Sequence, residues 1–180
     1  MGERAGGNRL VVIEKDELSV YRLDDKKVWS IGRTASNCKP DIALKSSVIS
    51  RPHGILENMD GIWVYTDEHS LNGSAYNGSP MTEPGDCKFP EDGDVFVFGG
   101  GEKALVNEWT VFALFLCREL DEDYCVEDTS KDEVLVFVSG EAERKFVRPE
   151  NGTVADFGNG IGIYMGERTY LLGDVSLKRG

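Results

Sequence analysis

The sequence predicts an all-β protein built as a β-sandwich or a β-barrel. Short runs rich in β-branched and aromatic residues suggest strands, and turn signals separate these runs at short intervals. The 21 glycines among 180 residues fit a chain with many turns. Hydrophobic residues make up 40% of the chain, which supports a packed core. This length fits one domain of ordinary size, or one domain with a small additional unit.

Three strands are predicted between residues 9 and 31. Polar turns at Lys15-Asp16-Glu17 and at Asp24-Asp25 separate the apolar runs of this segment. The runs are RLVVIE, LSVYRL and KKVWSI. This alternation of apolar runs and polar turns is typical of an antiparallel meander.

A second group of strands is predicted between residues 53 and 118. Its runs are HGILEN, GIWVYT, SAYNGSPM, GDVFVFGG and EWTVFALFL. A turn over 58–61 joins the first two runs, and Asn77-Gly78 is the strongest short hairpin signal. The last two runs are almost continuously apolar, which suits strands buried inside a sandwich. Val, Thr and Phe favour a strand over a helix at 104–118.

The chain changes character at residues 119–133, ELDEDYCVEDTSKDE. This segment is rich in Asp and Glu and contains a single lysine, which predicts an exposed acidic linker. Thr129 lies among these acids, where an acid-directed kinase could reach it. Residues 134–180 are β-like again, and we predict a small β-rich region there.

The stretch 135–159 resembles the beginning of the chain. Both share the order strand, polar turn, strand, polar turn, strand, glycine, and Gly158 matches Gly32. An internal repeat and a chance similarity of two β-meanders both remain open. Fifty residues are marginal for an independent fold, so the region should dock on the first domain or belong to a longer one.

Charge and composition exclude several classes of function. The formal net charge of -12 should repel nucleic acid and anionic lipid. The longest apolar run, at 110–117, is too short to cross a bilayer, and the first residues lack an apolar signal-peptide segment. We therefore expect a cytoplasmic protein without direct membrane insertion.

Metal binding and catalysis are not predicted. The four cysteines, Cys38, Cys87, Cys117 and Cys125, are scattered, and with only two histidines they do not suggest a zinc site. Reduced cysteines are expected, and disulfides in an oxidising compartment remain the alternative. The sequence contains neither a nucleophile elbow nor a P-loop. We therefore predict a protein that is not an enzyme and has no cofactor.

One ordered set of polar residues remains. It consists of Gly32-Arg33, Ser50-Arg51-Pro52-His53, Asn72-Gly73-Ser74 and Asn77-Gly78. In this order and spacing the set resembles the forkhead-associated (FHA) domain, a β-sandwich that binds phosphothreonine peptides. The resemblance covers residues 8–118. Ser74 stands where the family usually has Thr, and it keeps the hydroxyl group.

The resemblance implies a phosphopeptide-binding site. Arg33, Ser50 and Arg51 would contact the phosphate, which carries about -1.5 to -2 charges and offers three acceptor oxygens. Arginine suits such a group because its guanidinium donates two parallel hydrogen bonds.

The remaining residues of the set would contact the peptide or support the pocket. Asn72 would contact the peptide backbone, and Gly73 would give the loop its conformational freedom. Gly32, His53 and Asn77 would support the pocket. His53 shares strand parity with the core-facing Ile55, which predicts a buried histidine.

The function implied is non-catalytic recognition of a phosphothreonine-containing protein, in signalling or assembly downstream of a Ser/Thr kinase. The alternative is a structural FHA-like module with an unused pocket. That module would form the cytoplasmic N-terminal part of a larger bacterial protein such as a type VII secretion ATPase. Residues 134–180 would then begin a degenerate second FHA-like domain, because Asn159 stands where Arg33 does.

Overall fold

The computed structural model describes residues 7–37, 39–83 and 85–178. The chain forms two compact units, residues 1–118 and 119–180. In the described residues the regular structure is almost entirely β, with two short 3₁₀ helices at Leu23–Asp25 and Gly101–Lys103. This confirms the prediction of an all-β protein.

The described residues of the first unit form eleven strands in two sheets. They are β1 (Asn8–Glu14), β2 (Glu17–Arg22), β3 (Val28–Arg33), β4 (Ile42–Leu44), β5 (Gly54–Met59), β6 (Ile62–Asp67), β7 (Ser74–Tyr76), β8 (Ser79–Pro80), β9 (Cys87–Lys88), β10 (Val95–Phe98) and β11 (Val111–Cys117). One sheet has the order β2-β1-β11-β10-β7-β8, and the other has the order β4-β3-β5-β6-β9. Among the described strands of this unit, β3 and β4 alone pair in parallel.

Strand alternation directs apolar side chains of both sheets into one core. Its largest buried aromatic residues are Trp29, Trp63, Tyr65, Phe96, Phe98 and Phe115. The rings of Tyr65 and Phe96 lie 4.9 Å apart, and those of Phe96 and Phe98 lie 6.0 Å apart. Burial of each such side chain contributes about 1.5–3 kcal/mol, so this core is the main stabilising feature of the unit.

The predicted hairpins of the first unit form as expected. β5 and β6 pair antiparallel from Gly54↔Asp67 to Met59↔Ile62, with the turn at Asp60-Gly61. Asn77-Gly78 closes the hairpin of β7 and β8. Asn77 and Gly78 both have positive φ, which is the geometry that this dipeptide favours.

In the second unit, residues 119–178 form seven strands in two smaller sheets. They are β12 (Tyr124–Asp128), β13 (Val134–Ser139), β14 (Ala142–Val147), β15 (Thr153–Asp156), β16 (Gly160–Tyr164), β17 (Arg168–Gly173) and β18 (Ser176–Leu177). The sheet orders are β12-β17-β16-β15 and β14-β13-β18. Leu135, Phe137, Ala155, Tyr164 and Leu171 form a core cluster.

Residues 119–133 are mostly exposed, as predicted, but they belong to the second unit and are not a linker. Strand β12 lies within this segment and pairs antiparallel with β17. Its side chains are mostly exposed, so its place in the sheet depends on backbone hydrogen bonds rather than on apolar burial. Thr129 is only 1% exposed, and its hydroxyl donates to the carbonyl oxygen of Gly166 at 2.7 Å. Thr129 is therefore not accessible to a kinase in the folded protein.

In the described part of the chain, no helix is long and apolar enough to cross a membrane. Cys87, Cys117 and Cys125 are free thiols. Cys38 lies outside the described residues.

Candidate functional site

Ser50 links two loops of the first unit to the end of β3. The β4–β5 loop (residues 45–53) carries Ser50, and the β6–β7 loop comprises residues 68–73. The backbone N–H of Arg33 donates to the Ser50 carbonyl oxygen at 3.0 Å. The backbone N–H of Leu71 donates to the Ser50 hydroxyl oxygen at 2.9 Å. These bonds bring three distant segments of the sequence together at one place.

Arg33 is held in position by its own side chain. Its Nε donates to the carbonyl oxygen of Ile49 at 3.0 Å. Within the described residues Arg33 forms no ion pair, so the two terminal guanidinium nitrogens remain available to an anion. The side chain is half-buried, which reduces the entropy lost when a ligand fixes it.

Gly32 allows the close approach of the β4–β5 loop. A Cβ atom at this position would lie 3.2 Å from the Ser50 carbonyl oxygen and 3.5 Å from the His53 nitrogen. A side chain here would press against the backbone that places Ser50. The predicted supporting role of Gly32 thus has a steric basis in this packing.

His53 lies beneath the site and is fully buried, at 0% exposure. Its Nδ1 accepts a hydrogen bond from the Ser50 N–H at 3.1 Å, so its Nε2 carries the proton and donates to the Gly73 carbonyl oxygen at 2.9 Å. Burial lowers the pKa of His53 below 6.5, which favours this neutral form. The ring therefore joins the β4–β5 loop to the β6–β7 loop.

Asn72 and Gly73 form the tip of the β6–β7 loop. The Asn72 side-chain amide donates to the Val48 carbonyl oxygen at 3.0 Å, which leaves its Oδ1 directed to other partners. Gly73 has a φ of +75° with open space around its Cα, so backbone geometry is what requires glycine at this position. Both residues are half-buried.

Two further predicted site residues, Arg51 and Asn77, do not take part in the hydrogen bonds that join these loops. Arg51, the residue after Ser50, is exposed and forms no hydrogen bond or ion pair within the described residues, so its guanidinium is free. Asn77 instead contacts β10: its Oδ1 accepts from the Val95 N–H at 2.8 Å, and its Nδ2 donates to Asp94 at 3.1 Å. Its hydrogen bonds support the β7–β8 hairpin and do not reach the pocket residues.

The sequence analysis missed a buried polar cluster around Asp67. The Asp67 carboxylate accepts hydrogen bonds from Ser70 and Ser74, and the Tyr65 hydroxyl contacts the Ser74 hydroxyl at 2.7 Å. The spacing Asp67-x-x-Ser70 ahead of Asn72-Gly73 was the available signal, because an aspartate often accepts from the backbone a few residues later. This cluster lies directly under the loop that carries Asn72.

The site is chemically suited to hold an anion. It presents the guanidinium of Arg33, the hydroxyl of Ser50 and the nearby guanidinium of Arg51. Both ring nitrogens of His53 are engaged by the backbone, so this histidine is not free to transfer a proton to a ligand. Among the described residues no group of His, Cys, Asp and Glu side chains could hold a metal ion.

The FHA domain family model matches residues 29–99. All the predicted site residues, from Gly32 to Asn77, lie inside this match. The first unit therefore contains an FHA domain, which confirms the prediction made from the ordered motif.

Solved structures with a similar fold cover 61–66% of this chain. The chain is similar to an FHA domain from Arabidopsis thaliana at 24% identity, over 66% of this chain and 92% of that chain, with a TM-score of 0.49. It is similar to full-length yeast Pml1p at 21% identity, over 61% of this chain and 81% of that chain, with a TM-score of 0.50. A third similar structure is Mycobacterium tuberculosis EmbR in complex with a low-affinity phosphopeptide. The identity is 19% over 63% of this chain and 25% of that chain, with a TM-score of 0.46.

At these identities the comparison establishes the fold alone, which is the FHA-type β-sandwich. Comparison with curated proteins finds no match.

Proposed function

We propose that the first unit recognises a phosphothreonine-containing segment of another protein and catalyses no reaction. The observation that carries this proposal is the fixed pair of Arg33 and Ser50. The guanidinium is anchored through Nε to the Ile49 carbonyl oxygen, and the Ser50 hydroxyl oxygen is anchored by the Leu71 N–H. The same residue types in the same order define the phosphate contacts of the FHA family.

Electrostatics favour a doubly charged ligand at this site. A phosphorylated side chain carries about -1.5 to -2 charges, and charge-assisted hydrogen bonds to it are roughly twice as strong as neutral ones. The chain as a whole has a net charge of -12, which opposes non-specific binding of anions. A local cationic site in an acidic protein should therefore select a ligand that fits it closely.

The peptide backbone is the second part of the proposed ligand. Asn72 uses its Nδ2 inside the protein, and its Oδ1 can accept a backbone N–H of the bound peptide. The phosphopeptide complex of EmbR, a protein of similar fold, supports this class of ligand. A Ser/Thr kinase must supply the phosphorylated partner, so we place the protein in a kinase-dependent signalling or assembly process in the cytoplasm.

A phosphothreonine peptide library tests the proposal. Peptides selected from it should bind the purified full chain in calorimetry, and their unphosphorylated forms should not. Arg33→Ala should weaken binding at least tenfold, because a charge-assisted hydrogen bond contributes about 1.5–3 kcal/mol. Arg148→Ala, which removes an exposed arginine from the second unit, is the matched control and should bind like wild type. If no phosphopeptide of the library binds, the structural module with an unused pocket is the better description.

We also propose that residues 134–180 form the beginning of a second, degenerate FHA-like domain. The pairing of β13 with β14 parallels that of β1 with β2, and the meander β15-β16-β17 parallels β3-β5-β6. A tandem of this kind would suit the cytoplasmic part of a larger bacterial protein such as a type VII secretion ATPase. The coding sequence that flanks these residues in the genome tests that context.

A further inference from the structure

The Asp67 carboxylate ties together the two ends of the β6–β7 loop. One oxygen accepts the Ser70 backbone N–H at 2.8 Å. The other accepts the Ser70 hydroxyl at 2.7 Å and the Ser74 hydroxyl at 2.6 Å. Residues 71–73, which lie between these two serines, are the part of the loop that meets the proposed ligand.

We propose that Asp67 is a positioning residue for phosphopeptide recognition, although it does not itself touch the peptide. The inference rests on the proposed function, since it assigns a role to Asp67 in that same site. Asp67 holds Ser70 and Ser74 in place, and the loop between them is thereby ordered before the ligand arrives.

The hydrogen bonds around Asp67 have a defined direction. Ser74 has one hydroxyl proton, which it donates to Asp67, so the Tyr65 hydroxyl must donate to the Ser74 oxygen at 2.7 Å. Burial raises the pKa of Tyr65, so the hydroxyl keeps its proton. Asp67 is 7% exposed, Ser74 is 4% exposed and Tyr65 is fully buried. Asp67, Ser74 and Tyr65 are therefore largely removed from water, whereas Ser70 is half-buried.

Within the described residues, Asp67 forms no ion pair with a lysine or arginine side chain. Its three short hydrogen bonds are what compensate for removing its charge from water. A buried carboxylate satisfied in this way fixes its donors firmly, because a donor that turned away would leave the charge under-solvated. This makes Asp67 a rigid anchor for both ends of the loop.

Two further hydrogen bonds connect the ordered loop to the rest of the site. The Leu71 N–H donates to the Ser50 hydroxyl oxygen at 2.9 Å, and the Asn72 amide donates to the Val48 carbonyl oxygen at 3.0 Å. If the loop were free to move before binding, it would have to become ordered and form these contacts when the peptide binds. That ordering costs conformational entropy, which lowers the affinity.

Asp67→Asn tests this role with little change in side-chain shape. An amide replaces one of the two acceptor oxygens by an NH2 group, which would face either the Ser70 N–H or the two serine hydroxyls, so the three present bonds cannot all be kept in their present direction. We expect the full chain with Asp67→Asn to bind a library-selected phosphopeptide about tenfold more weakly than wild type. Ser74→Thr retains the hydroxyl and should bind within about twofold of wild type, whereas Ser74→Ala should lose affinity as Asp67→Asn does.

Asp94 offers a matched control in the same unit. Its carboxylate accepts hydrogen bonds from the Tyr76 hydroxyl, the Asn77 amide and the Glu91 N–H, none of which belongs to the pocket. Asp94→Asn should lower the melting temperature but leave the phosphopeptide affinity unchanged. A loss of affinity of similar size in both variants would mean that general destabilisation, rather than positioning, is responsible.

A double-mutant cycle separates positioning from a merely structural role. In an Asn72→Ala background the effect of Asp67→Asn on affinity should shrink to below about twofold, because the residue being positioned is gone. In an Arg33→Lys background its effect should stay close to tenfold. Equal effects in both backgrounds would overturn the inference.

The failure of this inference can be told apart from the failure of the proposed function. If wild type binds no phosphopeptide, both proposals fall. If wild type binds, Arg33→Ala does not, and Asp67→Asn binds like wild type, only the role of Asp67 is wrong. Should Asp67→Asn fail to fold, Ser70→Ala replaces it, since it removes one hydroxyl donor and keeps the Ser70 N–H; unchanged affinity in this variant would then overturn the inference.

Discussion

The two units share a meander but differ at the residue that follows it. In the first unit Gly32-Arg33 ends β3, and the Arg33 guanidinium is available to an anion. In the second unit Gly158-Asn159 follows β15, and the Asn159 side chain is engaged by Asp174 at 3.1 Å and by Ser139 at 3.3 Å. The matching position thus carries an available guanidinium in the first unit and a hydrogen-bonded amide in the second.

The charges around these positions also differ. Within the second unit, Asn159 lines a cleft together with Glu119, Asp121 and Asp174. Three carboxylates would repel a phosphate group at this place, whereas Arg33 and Arg51 would attract one at the proposed site of the first unit. The two units thus combine a similar order of strands with charges of opposite sign around the matching residues.

The connection after the third strand of each meander explains much of this difference. In the first unit twenty residues separate Arg33 from Gly54, and they carry β4, Ser50, Arg51 and His53. In the second unit only three residues separate Asp156 from Gly160. The short turn has no room for a loop that could hold a phosphate. The proposed anion site therefore depends on the longer loop of the first unit rather than on the sandwich itself.

The largest effect on stability is expected from His53→Ala. The substitution removes a fully buried ring and leaves the Ser50 N–H and the Gly73 carbonyl without partners. The cavity and the unpaired groups together should lower the free energy of unfolding by about 3 kcal/mol. Thermal unfolding measures this, with Arg33→Ala as the control that should melt like wild type. Equal melting temperatures for wild type and His53→Ala would show that His53 does not support the loops.

A pair of glycines allows the two units to be compared directly. A Cβ atom at Gly54 would lie 2.1 Å from the Tyr65 hydroxyl, and one at Gly162 would lie 2.0 Å from the Phe137 ring. Gly54→Ala and Gly162→Ala should each lower stability by about 1–3 kcal/mol through overpacking. Only Gly54→Ala should also weaken phosphopeptide binding, because the Tyr65 hydroxyl belongs to the Asp67 cluster. Calorimetry on both variants would contradict this if Gly162→Ala lost affinity as well.

The pH dependence of stability gives a smaller effect. Burial lowers the pKa of His53 in the folded state, although the hydrogen bond to Gly73 and the nearby Asp67 carboxylate act in the opposite direction. As the pH falls below 6.5 the unfolded chain therefore takes up a proton on this residue before the folded chain does. The stability should be full above pH 6.5 and should decline below it, by at most about 1.4 kcal/mol per pH unit. In denaturant titrations between pH 7.5 and pH 5.5, His53→Gln should show a shallower slope than wild type; identical slopes would rule out this assignment.

Local signals were enough to predict much of the first unit. Asn77-Gly78 and the turn after Asn58 define hairpins within a few residues, so neighbouring residues alone predicted them. The ordered motif placed Arg33, Ser50 and Asn72 in one site because each short piece has a fixed place on this fold. His53 was predicted to be buried from strand parity alone.

The features that were missed depend on distant parts of the chain. Strand β12 pairs with β17 some forty residues later, and its exposed acidic side chains give no apolar pattern to detect. The Asp67 cluster depends on which side chains the fold buries together. Asn77 was predicted to support the pocket, and its partners Asp94 and Val95 could not be foreseen, because they become its neighbours only through sheet pairing.

The smallest expected effect is the most direct test of the difference between the units. Asn159→Arg restores the residue type of Arg33 at the matching position of the second unit. If the missing arginine alone explained the loss of the site, this variant would bind a second phosphopeptide. We expect instead that it binds one peptide per chain, as wild type should. Glu119, Asp121 and Asp174 line the same cleft, so the new guanidinium would pair with carboxylates of its own unit. The turn between β15 and β16 also provides no counterpart of the Ser50 hydroxyl.

Calorimetry measures the number of peptides bound per chain. The sharpest form of the test combines Arg33→Ala with Asn159→Arg, because any binding that remains must then come from the second unit. Recovery of binding in that double variant would show that one residue, and not the longer loop of the first unit, separates the two units.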